Sequence, residues 1–89
     1  MQKNKVKIKY CTQCRWLMRS AWMAQELLST FEGSLGEVTL KPGSGGIFQV
    51  MLDGEIIATN RETKVMPEPS EVKRLIRDRV APDRKIGHE

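Results

Sequence analysis

The sequence predicts an α/β fold, a two-layer sandwich with the element order β-α-β-β-β-α. In it, a four-stranded mixed sheet carries both helices on one face. Three observations predict this fold. Residues 5–10 alternate between apolar and charged side chains, which is the period of a strand. A long stretch with helical spacing follows it, and further along Asp53-Gly54 joins two β-rich segments, a strong hairpin signal.

Length and composition limit the class of protein. The chain has 89 residues, of which 39% are hydrophobic and 29% charged, and this suits one globular domain spanning residues 1–89. The longest apolar run, residues 21–24, is far shorter than the roughly 20 residues that cross a membrane. No apolar segment follows the charges at the N-terminus. We therefore expect a cytoplasmic protein without membrane contact.

The first predicted strand, residues 5–10, has one dry face and one wet face. The apolar side chains are Val6, Ile8 and Tyr10, and the charged ones are Lys5, Lys7 and Lys9. The net charge of +4 and this row of lysines raise the question of nucleic-acid binding. Because no exposed aromatic side chain interleaves the lysines, we interpret the row as a solvated face and expect no nucleic-acid partner.

A first helix is predicted from Gln13 or Cys14 to about residue 32, because apolar residues recur at steps of three and four. The stripe expected to face the core contains Leu17, Ala21, Ala24, Leu28 and Phe31, widened by Met18, Trp22 and Leu27. Met18, Trp22 and Met23 also suit a ligand-binding face, but core packing is the preferred interpretation. Gly33 is well placed to end the helix.

The remaining strands complete the sheet. Residues 36–41 alternate as a second strand, parallel to the first through a right-handed crossover. Residues 47–52 and Glu55–Thr59 form the hairpin. Its first strand is expected to bury Phe48, Val50 and Leu52; on its second, either Ile57 or the pair Ile56 and Ala58 faces inward. The simplest spatial order is 2-1-3-4, which makes the first strand central.

A polar connector, residues 60–66, leads to the second helix, with Pro69 at its first position and Pro82 beyond its end. Its buried stripe is predicted to contain Val72, Leu75, Ile76 and Val80. A short polar tail, residues 83–89, carries the single histidine, His88.

The motif that carries chemistry is Cys11-Thr12-Gln13-Cys14, at the junction of the first strand and the first helix. A Cys-x-x-Cys pair in this position indicates thiol redox chemistry. The free N–H groups of a first helical turn favour negative charge, so a thiol there ionises more readily, and the thiolate is the nucleophile. Such a pair also occurs in metal sites, so the motif alone is only moderately specific.

A glycine-rich segment, residues 43–46, precedes the third strand. It lacks the Gly-Lys-Ser/Thr ending of a phosphate-binding loop, so we interpret it as a close backbone approach to the cysteine turn or to a bound peptide. If the third strand is antiparallel to the first, this segment and Trp16 lie beside the cysteines. The predicted contact surface consists of Thr12, Gln13, Trp16, Gly45 and Gly46.

Over nearly its whole length the chain resembles the selenoprotein W family, the small redoxins of the Rdx group, in a cysteine-containing bacterial-type version. Three segments carry the resemblance: YCTQCRW at residues 10–16, PGSGGIF at residues 42–48, and VKRLIRDRVAP at residues 72–82, continuing through Gly87-His88. The resemblance implies a pared-down thioredoxin-like fold and a thiol-based redox role without a fixed substrate. Selenoprotein members carry selenocysteine at the place of Cys14. Thioredoxins have a proline before the third strand, where this chain has Gly46-Ile47.

Cys11 and Cys14 are the predicted catalytic residues, with protein or small-molecule thiols and disulfides as partners. We expect Cys11 to be the more accessible nucleophile and Cys14 to resolve the mixed disulfide, although the selenocysteine position favours the reverse. A non-catalytic module whose partner binding depends on the oxidation state of the pair stays open as the alternative. Cys11, Cys14 and His88 are one ligand short of a structural zinc site, so no metal or other cofactor is expected, unless two chains share four cysteines.

Overall fold

The structure, a computed structural model, describes residues 3–83. Within this range it contains four strands and three helices. The strands are β1 (Asn4–Cys11), β2 (Leu35–Gly43), β3 (Phe48–Leu52) and β4 (Glu55–Thr59); the helices are α1 (Leu17–Thr30), α2 (Asn60–Thr63) and α3 (Pro69–Val80). The predicted tail with Gly87 and His88 lies outside the described residues. None of the described helices has the length and apolar character needed to cross a membrane.

The sheet has the order β2-β1-β3-β4, so the predicted α/β fold with a mixed sheet is confirmed. β1 is parallel to β2 and antiparallel to β3, and β3 is antiparallel to β4. The carboxyl end of the central strand therefore lies beside the end of β2 and the start of β3. Cys11 pairs with Gly43 in this register. Gly43 therefore belongs to β2, and the prediction that it lies in a loop is wrong.

One hydrophobic core joins the inner face of the sheet to α1 and α3. The three apolar residues of β1 and the three of β3 predicted to face inward are all buried: Val6, Ile8, Tyr10, Phe48, Val50 and Leu52. α3 contributes Val72 and Ile76, with Leu75 and Val80 packed at the margin, as predicted. Because both longer helices cover the same face, the lysine side of the sheet stays open to solvent.

The face of α1 that enters the core differs from the prediction. Ser20, Met23, Ala24 and Leu27 are buried, whereas Met18 and Trp22 are 84% and 56% exposed, and Leu17 and Leu28 are exposed as well. Ser20 explains the error, because its hydroxyl donates to the Leu17 carbonyl (2.9 Å) and so can enter the core without an unpaired polar atom. Ala24, Leu27 and Phe31 of the predicted stripe are buried, so the prediction is confirmed for these residues and wrong for the exposed ones.

Two smaller features resolve or correct expectations about the second half of the chain. In the hairpin, Val50 pairs with Ala58 and Met51 with Ile56, which leaves Ile57 as the extra residue of a β-bulge. Ala58 and Ile57 consequently both turn toward the core, while Ile56 is exposed. The segment predicted as a polar connector begins with α2, whose first turn is capped because the Thr59 hydroxyl accepts from the Arg61 N–H.

Candidate redox site

The two cysteines lie at the carboxyl end of β1, in a turn that is held on both sides. The Cys11 N–H donates to the Ile47 carbonyl at the start of β3 (2.8 Å), and the Thr12 N–H donates to the Gly43 carbonyl at the end of β2 (3.2 Å). The Thr12 hydroxyl adds a longer contact to the same carbonyl (3.3 Å). The segment that carries the thiols is therefore tied to both neighbouring strands.

The cysteines precede α1, and this corrects the prediction that Cys14 lies in its first turn. Residues 12–15 form a separate turn, closed by the Arg15 N–H donating to the Thr12 carbonyl (3.0 Å). Arg15 has a left-handed backbone (φ 59°), which an α-helix cannot contain, so α1 starts only after Trp16. The N–H groups of the first helical turn are therefore not what stabilises a thiolate here.

The two thiols are free and differ in exposure. Cys11 is 1% exposed, whereas Cys14 is exposed, so the expectation that Cys11 is the more accessible thiol is wrong. Cys11 is the last residue of the central strand and is buried, although alternation along the strand assigns it to the opposite face from Val6, Ile8 and Tyr10. Cys14 sits at the outer part of the turn.

The protonation of the two thiols is linked. Hydrogen bonding from the Cys14 side chain lowers the pKa of the Cys11 thiol; burial opposes this, and the backbone N–H groups of Gly46, Cys14 and Gln13 lower the pKa further. The same thiol–thiol hydrogen bond raises the pKa of Cys14, as do partial desolvation and the charge on Cys11, while the Gly46 N–H lowers it. Hydrogen bonds, rather than the neighbouring Arg15 charge, set the direction of both shifts. The buried sulfur is thus the one that ionises more readily, and the exposed sulfur keeps its proton and donates the thiol–thiol hydrogen bond.

The residues predicted to form the contact surface surround this turn. Thr12 and Gln13 are exposed within it. Gly45 and Gly46 have consecutive left-handed conformations (φ 72° and 75°), which turn the chain so that the Gly46 N–H faces the cysteines. Trp16 is half-buried, and its ring meets Phe48 edge-on, with the ring centroids 6.1 Å apart. Trp16 therefore closes the core below the turn and presents only part of its ring to solvent.

Asn60 and Arg61 of α2 reach this end of the sheet, although the sequence predicts a polar connector there. The Asn60 amide donates to the Gly46 carbonyl (2.7 Å) and accepts from the Phe48 N–H (3.0 Å). The Arg61 guanidinium lies beside Gly45, 3.4 Å from where a side chain at that position would begin. Nothing in the local pattern signals these contacts, because they depend on how the β3–β4 hairpin returns the chain to the loop.

No group of three potential metal-ligating His, Cys, Asp or Glu side chains is found among residues 3–83. His88, the third ligand considered from the sequence, lies outside that range.

Comparison with known proteins identifies the family. A sequence model described as the Rdx family matches residues 5–78. A crystal structure of a Bordetella parapertussis protein is 46% identical and has a TM-score of 0.85, covering 89% of this chain and 100% of that one. The crystal structure of a selenoprotein W-related protein from Vibrio cholerae is 39% identical, with a TM-score of 0.82, over 86% of this chain and 96% of the other. A comparison with curated proteins gave no match. The chain belongs to the Rdx family, as its resemblance to the selenoprotein W-like proteins predicts.

Proposed function

We propose that this protein is a thiol–disulfide redox protein in which Cys11 and Cys14 exchange with protein or small-molecule disulfides. The observation that carries the proposal is the linked pair of thiols in one tight turn, with the pKa of the buried sulfur lowered and that of the exposed sulfur raised. A purely structural cysteine pair does not require two thiols with different pKa values, whereas disulfide exchange needs a thiolate and a second thiol within reach. The proposal places the protein in the cytoplasm, where the dithiol form is regenerated.

In the proposed reaction Cys14 attacks and Cys11 resolves, since Cys14 alone is exposed to a substrate. As the Cys14 sulfur bonds to one substrate sulfur, its proton passes to Cys11, the substrate disulfide breaks, and the other sulfur leaves as a thiolate. That thiolate takes up the proton from Cys11, which becomes a thiolate again; the second substrate sulfur, released in the next step, takes its proton from water. The Cys11 thiolate then attacks the Cys14 sulfur of the mixed disulfide. The products are a Cys11–Cys14 disulfide and two substrate thiols, so the protein loses two electrons and the substrate gains them.

Single-cysteine variants test the order of attack. With a chromogenic small disulfide as substrate and excess dithiothreitol as reductant, the wild-type protein should turn over, and it should form an intramolecular disulfide on mild oxidation. Cys11→Ser should accumulate a mixed disulfide on Cys14, seen by mass spectrometry, whereas Cys14→Ser should react slowly because its remaining sulfur is buried. Faster trapping by Cys14→Ser would reverse the two roles. Absence of wild-type turnover together with a purely intermolecular disulfide would overturn the proposal.

A second candidate function is a module whose partner binding depends on the oxidation state of the cysteines. One observation favours it: α1, which follows the cysteine turn directly, exposes the large apolar side chains of Leu17, Met18 and Trp22. Large apolar side chains grouped on a surface mark sites of protein contact. Redox-dependent binding of a cellular protein without disulfide turnover, lost in Met18→Ser/Trp22→Ser, would select this function over catalysis.

A further inference from the structure

The Asn60 side chain bridges two backbone groups of the loop that borders the cysteines. Its Nδ2 donates to the Gly46 carbonyl (2.7 Å) and its Oδ1 accepts from the Phe48 N–H (3.0 Å), and both bonds are partly buried. A primary amide carries a donor and an acceptor side by side, which allows one side chain to make both bonds. The last backbone pair of the β3–β4 ladder joins Gln49 to Thr59. The Asn60 amide therefore extends that ladder past its end, in place of a backbone.

The segment that Asn60 holds contacts Cys11 directly. The Ile47 carbonyl accepts the Cys11 N–H (2.8 Å). The next residue toward the loop, Gly46, has an N–H whose hydrogen bonding lowers the pKa of the Cys11 thiol, and also that of Cys14. Both bonds of Asn60 go to the residues that flank Ile47. The amide therefore binds Gly46, which also carries the N–H, and the Phe48 nitrogen, which is bonded to the Ile47 carbonyl carbon.

The loop has little means of holding this geometry by itself. Gly45 and Gly46 both have left-handed backbones, and no other protein atom lies within 4 Å of the position that a Gly46 side chain would take. Consecutive glycines have the largest conformational freedom of any residues, so ordering them requires contacts from outside the loop. Asn60 supplies such a contact from the junction of β4 and α2.

We propose that Asn60 is a positioning residue of the redox site: its amide fixes the Gly46 N–H against the Cys11 sulfur. Without the amide, Gly46 is free to rotate and its N–H turns to solvent. The Cys11 thiolate then loses a hydrogen bond, and Cys11 becomes both a weaker acceptor for the Cys14 proton and a slower resolving nucleophile. This inference rests on the proposed function for its role in exchange, but the positioning itself is a property of the resting protein.

The test is the pH profile of the Cys11 thiol, read from the ultraviolet absorbance of the thiolate and from iodoacetamide alkylation. It is carried out in the Cys14→Ser background, so that one sulfur titrates. Asn60→Ala should lower the thiolate fraction at neutral pH by roughly three- to tenfold and move the profile to higher pH. Gln49→Ala is the matched control, because its partly buried amide accepts the Thr59 hydroxyl across the same strand pair without touching the loop. The control should keep the wild-type profile.

An unchanged profile in folded Asn60→Ala overturns the inference, and so does an equal shift in Gln49→Ala, which would mean general loosening of the hairpin. If Asn60→Ala does not fold, Asn60→Ser takes its place, since its hydroxyl is too short to bridge both backbone groups. In otherwise wild-type protein, Asn60→Ala should also prolong the mixed disulfide on Cys14. Absence of wild-type turnover together with a purely intermolecular disulfide would overturn the proposed function, while the pH profile still decides the positioning, so the two failures are distinguishable.

Discussion

The two ends of the central strand are built from similar parts and differ in what those parts face. At the start of β1, the Asp53–Gly54 turn is held by the Asp53 N–H donating to the Lys5 carbonyl and the Lys5 N–H donating to the Asp53 carboxylate, each 2.8 Å long. At the other end, the Gly45–Gly46 loop is held to Cys11. Both turns contain adjacent left-handed residues. Strained turns and long-range backbone bonds therefore occur at both ends of the strand, and what distinguishes the cysteine end is the presence of backbone donors beside an ionisable sulfur.

The largest expected effect comes from Phe48→Ala, compared with Leu52→Ala at the other end of β3. Both side chains are buried, and truncation should lower the free energy of unfolding by about 3–5 kcal/mol for Phe48 and about 2–5 kcal/mol for Leu52, measured by urea denaturation. Only Phe48 supports Trp16 beneath the cysteine turn. In the Cys14→Ser background, Phe48→Ala should therefore speed the alkylation of the buried Cys11, while Leu52→Ala leaves it unchanged. Equal alkylation rates in the two variants would contradict a specific role of Phe48 in covering Cys11.

A smaller effect should come from the glycines. Gly46 and Gly54 are left-handed (φ 75° and 88°), and nothing lies within 4 Å of the side-chain position at either. Substitution by alanine should therefore destabilise the protein through backbone strain alone, by about 1–2 kcal/mol at each site. In the Cys14→Ser background, only Gly46→Ala should also shift the pH profile of Cys11 alkylation upward. A shift in Gly54→Ala of the same size would contradict a local cause.

At the start of β1, Asp53→Ala should lower the free energy of unfolding by about 1 kcal/mol, because the Lys5 N–H loses its acceptor. Asp53→Asn keeps an oxygen in the same place and should restore most of the stability. Neither variant should alter turnover with the small disulfide substrate. Reduced turnover in Asp53→Ala would show that the two ends of β1 are coupled through the strand.

The smallest effect is a pH dependence of stability. In the wild-type protein the pKa of Cys11 is lowered, first by the Cys14 side chain and then by backbone N–H groups, against the effect of burial. A serine hydroxyl can replace the thiol as donor, so we expect the folded-state pKa of Cys11 in Cys14→Ser to stay below its unfolded value. Between those two values the unfolded chain binds more protons, and stability should therefore rise with pH. It should fall back as the pH drops through the folded-state pKa.

The measurement is the urea midpoint from neutral to alkaline pH, with the double variant Cys11→Ser/Cys14→Ser as the background to subtract. If the difference in urea midpoint between Cys14→Ser and the double variant stays flat or falls with pH, burial raises the pKa of Cys11 by more than its hydrogen bonds lower it.

Local patterns in the sequence were sufficient to determine the order of the four strands and the two longer helices, the hairpin, the buried stripe of α3 and the position of the Cys-x-x-Cys pair; the short helix α2 was missed. Alternation in β1 and the spacing of Val72 and Ile76 reflect a single periodic contact with the core, and such contacts are written into neighbouring residues. The strand order followed from the crossover rule and the tight hairpin, since both restrict which strands can be neighbours.

Tertiary structure decided what depends on distant partners. Ser20 entered the core because its hydroxyl is satisfied within its own helical turn, and this set which face of α1 is buried. Arg15 took a left-handed conformation that delayed the helix, so the thiols rely on donors from the turn and from Gly46. The neighbours of Cys11 are brought to it by the ends of β2 and β3, and Asn60 reaches the loop only because the hairpin brings it back. Exposure and protonation of the cysteines are properties of that packing, because the strands which surround a sulfur come from parts of the chain far from it in sequence.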